Sequence, residues 1–319
     1  MGIPPRVAPA LPLRRILALI PKFPVATLLV AGFLACDAMD APRAPRARFE
    51  LQANDLPPEA ELTLRAALDR WAELISTPVP IRVRATFVEG GPAGFSVPAM
   101  IRDFPGAPRS RTWYPSALAD ALAESDLRPG QPDMELFFRS DRNWKFDLGG
   151  NPGTGEADFL TVAMHEIAHG LGMLTWVQVR DGLGSYGGDL APILSPFPLQ
   201  VSFPDLDHLP SVYTELLADS SGRRLADTTW LPNPSLELGH FLSTSDLFFT
   251  GPAATAANGG RPPRVVGRSP SHLHPDDYFW TGFDYLMTTR SGTGVATPDP
   301  GPVTLGILRD IGWTLTRNP

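Results

Sequence analysis

The chain has 319 residues, 43% hydrophobic and 19% charged, a balance typical of a globular protein with one large or two small domains. Its net charge of −7, from 27 basic and 34 acidic residues, argues against nucleic acid as a partner. Its 29 glycines and 36 prolines predict many turns and long ordered loops.

The N-terminal segment 1–36 is typical of an export signal. Basic residues precede the apolar run 25–35, which is too short to span a bilayer comfortably. Cys36 follows that run and is the only cysteine, so no intrachain disulfide can form. An exported chain without disulfides fits a bacterial envelope. We therefore predict a secreted or cell-envelope protein of a bacterium, and a lipid anchor at Cys36 is the one membrane attachment left open.

Composition also divides the remaining chain. Residues 37–54 are predicted to be a linker or a short propeptide, because most of this segment is rich in proline, alanine and arginine. Residues 55–319 are expected to form the functional domain. Its N-terminal subdomain would cover residues 55–172, and its C-terminal subdomain residues 173–319.

Hydrophobic periodicity predicts the elements of the N-terminal subdomain. Apolar residues at helical spacing predict helices over residues 57–77 and 116–123. Strands are predicted over residues 81–88 and 133–138, and the polar, glycine-rich residues 139–155 read as a loop. Helices and strands in this order indicate the α+β class.

The sequence HEIAHGLG, which begins at His165, carries the functional interpretation. On a helix, His165 and His169 lie on one face, so both imidazoles can hold one metal ion. Glu166 lies within reach of a water on that metal, which completes the zinc-hydrolase pattern of two ligands and a general base. Acidic residues at 156–158 suit the start of this helix. Gly172 can take a positive φ and end it with a sharp turn.

The C-terminal subdomain is predicted to be loop-rich. Residues 173–271 form a long turn-rich insertion, with short helices over residues 211–219 and 236–248. Residues 250–270 read as a loop. A capped helix over residues 304–311, ended by a glycine, closes the chain.

A catalytic zinc requires a third protein ligand. One compact motif places a histidine three residues after Gly172, but Thr175 stands there. The other histidines of the chain are His208, His240, His272 and His274. Glu215, four residues before Asp219 on a predicted helix, is an acidic alternative. The first two of these histidines are expected to be ordinary surface or hydrogen-bonded residues, whereas His272, His274 and Glu215 stay open as ligands.

The motifs, taken in order, resemble the leishmanolysin-type branch of the metzincin zinc proteases, and its bacterial members most closely. The resemblance covers about residues 50–319. It is carried by HEIAHGLG from His165 to Gly172, Ser271-His272, Leu286-Met287, Asp310-Ile311-Gly312-Trp313, and the segments 112–115 and 254–260. It implies a metzincin-like α+β fold with an N-terminal twisted mixed sheet and a central helix. A loop-rich C-terminal subdomain with a Met-turn at Met287 and a closing helix would complete that fold.

The resemblance also implies the ligands and the activity. It assigns His272 as the third ligand beside His165 and His169, around one catalytic Zn²⁺ ion. The expected function is a zinc endopeptidase that hydrolyses peptide bonds with a zinc-activated water and Glu166 as general base.

A protein or peptide is the expected substrate, bound by strand addition to a sheet edge. Residues 81–88 or 133–138 are the two candidates for that edge. A non-catalytic envelope or adhesive protein that retains the protease fold is the alternative from another functional class. The oligomeric state is left open.

Overall fold

The computed structural model describes residues 45–201, 203–278, 284–289 and 293–316. The predicted signal peptide, with Cys36, and the start of the predicted linker lie outside the described residues. Among the described helices, none combines the length and the apolar composition needed to cross a membrane.

Helices and strands are mixed along the described chain, which confirms the α+β class. The α-helices are α1 (Pro58–Leu74), α2 (Ser116–Ala123), α3 (Phe159–Gly170), α4 (Ala191–Leu194), α5 (Leu236–Thr244), α6 (Pro252–Ala257), α7 (Pro275–Tyr278) and α8 (Gly301–Ile311). The strands of the first half are β1 (Phe49–Asn54), β2 (Ile75–Ser76), β3 (Ile81–Val88), β4 (Gly94–Pro98), β5 (Met100–Arg102), β6 (Trp113–Pro115), β7 (Met134–Arg139), β8 (Trp144–Lys145) and β9 (Ala157–Asp158). Those of the second half are β10 (Val177–Arg180), β11 (Leu183–Tyr186), β12 (Leu217–Ala218), β13 (Leu247–Phe249), β14 (Arg264–Val266), β15 (Ser269–Leu273) and β16 (Thr314–Leu315).

A four-stranded mixed sheet frames the N-terminal half. Its order is β1-β3-β7-β4, with β1, β3 and β7 parallel and β4 antiparallel to β7. Side chains alternate between the two faces of a strand. On one face, Val83 and Leu136 belong to the main core, which also contains Trp71 of α1 and Ile167 of α3. The central helix α3 therefore packs in the same core as this sheet.

The second face of the sheet is covered by the insertion. Phe137 of β7 belongs to a smaller core with Leu194 and Val201. Beside it, Arg84 and Glu135 form a buried ion pair. Glu135 also accepts hydrogen bonds from the backbone N–H groups of residues 200 and 201, both at 2.7 Å. These bonds satisfy the buried carboxylate and fix the insertion to the sheet.

The predicted helices and strands of the N-terminal half are confirmed, although the first helix ends three residues early and the loop predicted over residues 139–155 contains β8. The helix predicted over residues 57–77 is α1, which begins with a proline and buries Leu64, Leu68 and Trp71. The strand predicted over residues 81–88 is β3, and the helix over 116–123 is α2, both with the predicted bounds. The strand β7 begins and ends one residue later than predicted.

Two expectations about this sheet need correction. The end of the predicted linker or propeptide, Phe49–Asn54, forms β1 and pairs with β3, so it is part of the sheet. Both strands proposed as the substrate edge, β3 and β7, are interior. The edge strands are β1 and β4, because the short strand β4 inserts beside β7.

The C-terminal half contains more regular structure than predicted. The helix predicted over residues 211–219 is wrong: only Thr214–Leu216 forms a 3₁₀ turn, and β12 follows. The helix predicted over residues 236–248 ends at Thr244 and is followed by β13. The loop predicted over residues 250–270 contains α6 and β14. Strands β12 to β15 form an antiparallel sheet, and strands of two or three residues carry too little periodicity to be recognised in a sequence.

Candidate metal centre

The helix α3 carries the HEIAH sequence through the middle of the protein. Asp158 caps its N-terminus, because the Oδ2 atom accepts from the backbone N–H of Thr161 at 2.9 Å. All twelve of its residues are buried. The helix ends at Gly170, and the turn that follows contains Gly172 with a φ of 120°. A Cβ atom at Gly172 would lie 2.8 Å from Cδ1 of Ile311, so both the conformation and the space require glycine.

Three imidazole rings converge at the buried face of this helix. The Nε2 atoms of His165 and His169 lie 3.0 Å apart, and Nε2 of His272 lies 3.2 Å and 3.3 Å from them. The ligand atoms of a tetrahedral zinc, bound at about 2.0–2.1 Å, are about 3.3 Å apart. Within the described residues, these three are the one group of histidine, cysteine and acidic side chains close enough to hold a metal ion.

The other nitrogen of each helix histidine is held by a backbone carbonyl. Nδ1 of His165 donates to the oxygen of Leu286 at 2.6 Å, and Nδ1 of His169 donates to the oxygen of Met173 at 2.7 Å. A carbonyl can only accept, so both Nδ1 atoms carry the proton and both Nε2 atoms keep a lone pair. Lone pairs that face one another at this distance repel, and a cation between them relieves that repulsion.

The third imidazole comes from a distant part of the chain. His272 lies on β15, and its Nδ1 is 2.8 Å from Oγ of Ser269. The next residue, Leu273, donates its N–H to the oxygen of Met287 at 2.8 Å. Met287 is fully buried, and the carbonyl before it accepts from His165. The segment around Met287 therefore connects His165 on the helix to the strand that carries His272.

Burial lowers the pKa of all three histidines. Desolvation is the main cause for His165, and its hydrogen bond to the backbone of Leu286 opposes it. For His169, burial and the two neighbouring rings lower the pKa further. The pKa of His272 falls to about 3, chiefly through burial and then through His165, while the Ser269 backbone raises it. All three rings are thus neutral at pH 7, the form that binds metal.

Glu166 lines the same cleft as the three rings. Its side chain is 6% exposed, and burial raises the pKa of its carboxyl to about 8. A cation held by the histidines would favour the ionised form of this carboxyl. Gly94 of β4 packs directly against it, since a Cβ atom there would lie 2.6 Å from Cγ of Glu166. The sequence did not single out Gly94, because a glycine after Gly90 and Gly91 reads as part of a turn.

The cleft has a volume of about 420 Å³. The edge strand β4 lines it through Gly94, Phe95 and Ser96. Apolar side chains that follow α3 or belong to the insertion also line it: Leu174, Trp176, Val177 and Ile193. Apart from the three histidines, Glu166 is the one titratable side chain that lines it.

The alternative ligands do not reach this cluster. Nδ1 of His274 lies 3.0 Å from a guanidinium nitrogen of Arg264. Glu215 lies 3.5 Å from Arg224 and 4.0 Å from Arg109. His208 and His240 are exposed and belong to no metal-holding group. The proposal of His274 or Glu215 as the third member of the group is therefore wrong.

Thr175, which stands where a compact motif would have its histidine, has a structural role. Its N–H donates to Oγ of Ser271 at 2.9 Å, and its hydroxyl accepts from Thr214 at 3.0 Å. The first bond ties the turn after α3 to the strand that carries His272, and the second ties it to the 3₁₀ turn Thr214–Leu216.

Comparison of the sequence with models of known protein families gives no match, and comparison with curated proteins gives none.

Proposed function

We propose that the protein is a zinc-dependent endopeptidase of the leishmanolysin-like metzincin type. The observation that carries this proposal is the convergence of three neutral imidazoles beside a buried carboxylate in one cleft. Imidazole nitrogens suit zinc, whereas calcium and magnesium prefer several oxygen ligands. Three protein ligands with space beside them are typical of catalytic rather than structural zinc sites.

When bound, zinc supplies a Lewis acid that polarises a carbonyl and lowers the pKa of water. The remaining chemistry belongs to the chain. His165, His169 and His272 hold the ion through Nε2. Glu166 accepts the proton of the attacking water and passes it to the leaving amine. Burial raises the pKa of its carboxyl to about 8, near the operating pH, which favours this proton transfer.

The edge strand β4 is the proposed binding site for the substrate backbone. It pairs with β7 on one side and lines the cleft with Gly94, Phe95 and Ser96. An extended peptide added to this edge would place its backbone beside Glu166. The export signal predicted over residues 1–36 would put this activity outside the cytoplasm.

Replacing the base while keeping the ligands tests the proposed chemistry. Glu166→Gln is expected to bind one zinc per chain and to cleave casein at least about 100-fold more slowly, because general base catalysis is lost. Glu59→Gln, an exposed glutamate on α1, is the matched control and is expected to behave like the native chain. Chelation should abolish cleavage, and added zinc should restore it.

A native chain that holds a full equivalent of zinc and cleaves neither casein nor gelatin would refute the peptidase. That result would favour the non-catalytic envelope protein instead.

The two histidines of the SHLH sequence provide a test of the ligand assignment. His272→Ala is expected to lose most of the bound zinc, since two imidazoles alone hold the ion weakly. His274→Ala is expected to keep it, because that ring contacts Arg264 instead. Zinc content after gel filtration measures both. Equal zinc in the two variants would contradict the assignment of His272.

A further inference from the structure

Ser269 is the residue that contacts the third imidazole. It begins β15, is half-buried and lines the cleft. Its Oγ atom lies 2.8 Å from Nδ1 of His272. The hydroxyl is therefore the partner of Nδ1 in His272, just as the carbonyls of Leu286 and Met173 are the partners of Nδ1 in the two helix histidines.

An irregularity in β15 makes this contact possible. In a regular strand, residues three apart point to opposite faces, so Ser269 and His272 would not meet. Here Val265 of β14 pairs with Leu273, and the next residue, Val266, already pairs with Ser269. One step on β14 thus faces four steps on β15, and the extra residues form a bulge. The bulge brings the hydroxyl and the imidazole of the same strand together.

The chemistry of this partner differs from that of the two carbonyls. A hydroxyl can donate or accept, so it does not fix the tautomer alone. If Nδ1 of His272 carries the proton, Oγ of Ser269 accepts a hydrogen bond from it, and Nε2 of His272 presents a lone pair to the other two histidines. In that arrangement all three Nε2 atoms direct a lone pair toward one point, as a metal site needs. The short distances between the Nε2 atoms are consistent with it.

We propose that Ser269 is a positioning residue for the metal: its hydroxyl accepts a hydrogen bond from Nδ1 of His272 and holds the Nε2 lone pair toward His165 and His169. This inference rests on the proposed zinc site. The helix ligands are held by backbone, which no substitution removes. The support of His272 is a side chain, so it is the one that mutation can test.

The test compares the zinc affinity of full-length variants by competition with a chelating dye. Ser269→Ala is expected to bind zinc about 10-fold more weakly, the lower end of the effect of losing such a partner. Ser269→Thr keeps the hydroxyl and should restore affinity to within about 3-fold of the native value. Ser221→Ala, which removes a hydroxyl that donates to Asp219 away from the cleft, is the matched control and should bind like the native chain.

Two readouts separate positioning from a general loss of structure. The absorption bands of the cobalt-substituted protein should change in Ser269→Ala and return in Ser269→Thr, because they report ligand geometry. In a His272→Ala background, Ser269→Ala should have no further effect on affinity. Native affinity in Ser269→Ala, or equal weakening in the alanine and threonine variants, would overturn the proposal.

The outcome also distinguishes this inference from the proposed function. A zinc-affinity difference without peptidase activity would leave Ser269 as a positioning residue and refute the endopeptidase. A native chain that binds no zinc would overturn both.

Discussion

Glu166, the proposed base, can occupy its position because Gly94 has no Cβ atom. A Cβ atom at this residue would lie 2.6 Å from Cγ and 2.7 Å from Oε1 of Glu166, and 2.8 Å from Cγ1 of Val162. Real Cβ atoms do not approach so closely, so one of the partners would have to move. Val162 and Glu166 are both buried on α3, which leaves little room for that movement.

Gly94→Ala is therefore expected to displace the Glu166 carboxylate and to lower kcat on casein by about 10-fold or more, because small misplacements of a catalytic group are costly. Zinc content should stay at the native value, since the atoms nearest to the added Cβ belong to Glu166 and Val162 and not to a histidine. Gly149→Ala serves as the control, because a Cβ atom there meets nothing within 4 Å and the backbone is not in the left-handed region. Native kcat in Gly94→Ala would show that Glu166 tolerates the shift.

At the residue scale, the sequence predicts what local spacing encodes. His165, Glu166 and His169 follow from one turn of helix, whereas the choice of His272 over His274 and Glu215 came only from the resemblance to a zinc protease family. Gly94 and Ser269 could not be predicted in this way. Their roles depend on β4 lying beside α3 and on a bulge in β15, and both are products of non-local pairing.

At the element scale, a residue of one helix caps the start of another helix that is distant in sequence. The helix α6 begins after Gly251, which has no side chain to cap it. Asp310 of α8 takes that role: its two carboxylate oxygens accept from the N–H groups of Ala253 and Ala254, at 2.9 Å and 2.8 Å. A Cβ atom at Gly251 would overlap the same carboxylate. The negative charge also complements the positive end of the helix dipole.

Asp310→Ala is expected to destabilise the protein by about 2 kcal/mol, because two backbone donors lose a charged acceptor. The melting temperature should fall by about 4 °C, as a domain of this size loses about 2 °C per kcal/mol. Asp69→Ala, an exposed aspartate on α1, is the control and should melt within about 1 °C of the native chain. Equal melting of both variants would mean that water replaces the cap at no cost.

The remote cap also explains why the sequence of α6 is typical of a loop. The segment PAATAA has only six residues, and no capping side chain stands immediately before it. Its acceptor lies 57 residues away from Ala253 in the chain. The signals of the longer helices are local in sequence. The helix α1 has apolar residues at helical spacing, and α3 follows directly after its capping residue Asp158.

At the scale of the whole molecule, the cluster of His165, His169 and His272 joins the two halves of the chain. Two of its rings lie on α3, which packs with the N-terminal sheet, and the third lies on β15, 103 residues beyond His169. The insertion between them is also fixed to the other face of that sheet through Glu135. The proposed site therefore closes only when the N-terminal sheet, the insertion and β15 are folded together.

Because the three ligands converge only in the folded chain, zinc should stabilise the native state by mass action. Free zinc at 1,000 times its dissociation constant would add about 4 kcal/mol, which corresponds to a rise in melting temperature of about 8 °C for a domain of this size. Calorimetry of the native chain, stripped by a chelator and then titrated with zinc, measures this rise. His274→Ala should show the same rise, whereas His272→Ala should show little of it, since the ring that ties β15 to α3 is gone. A melting temperature of the native chain that is independent of zinc, at one bound ion per chain, would mean that the ion also binds the unfolded chain and does not link the two halves.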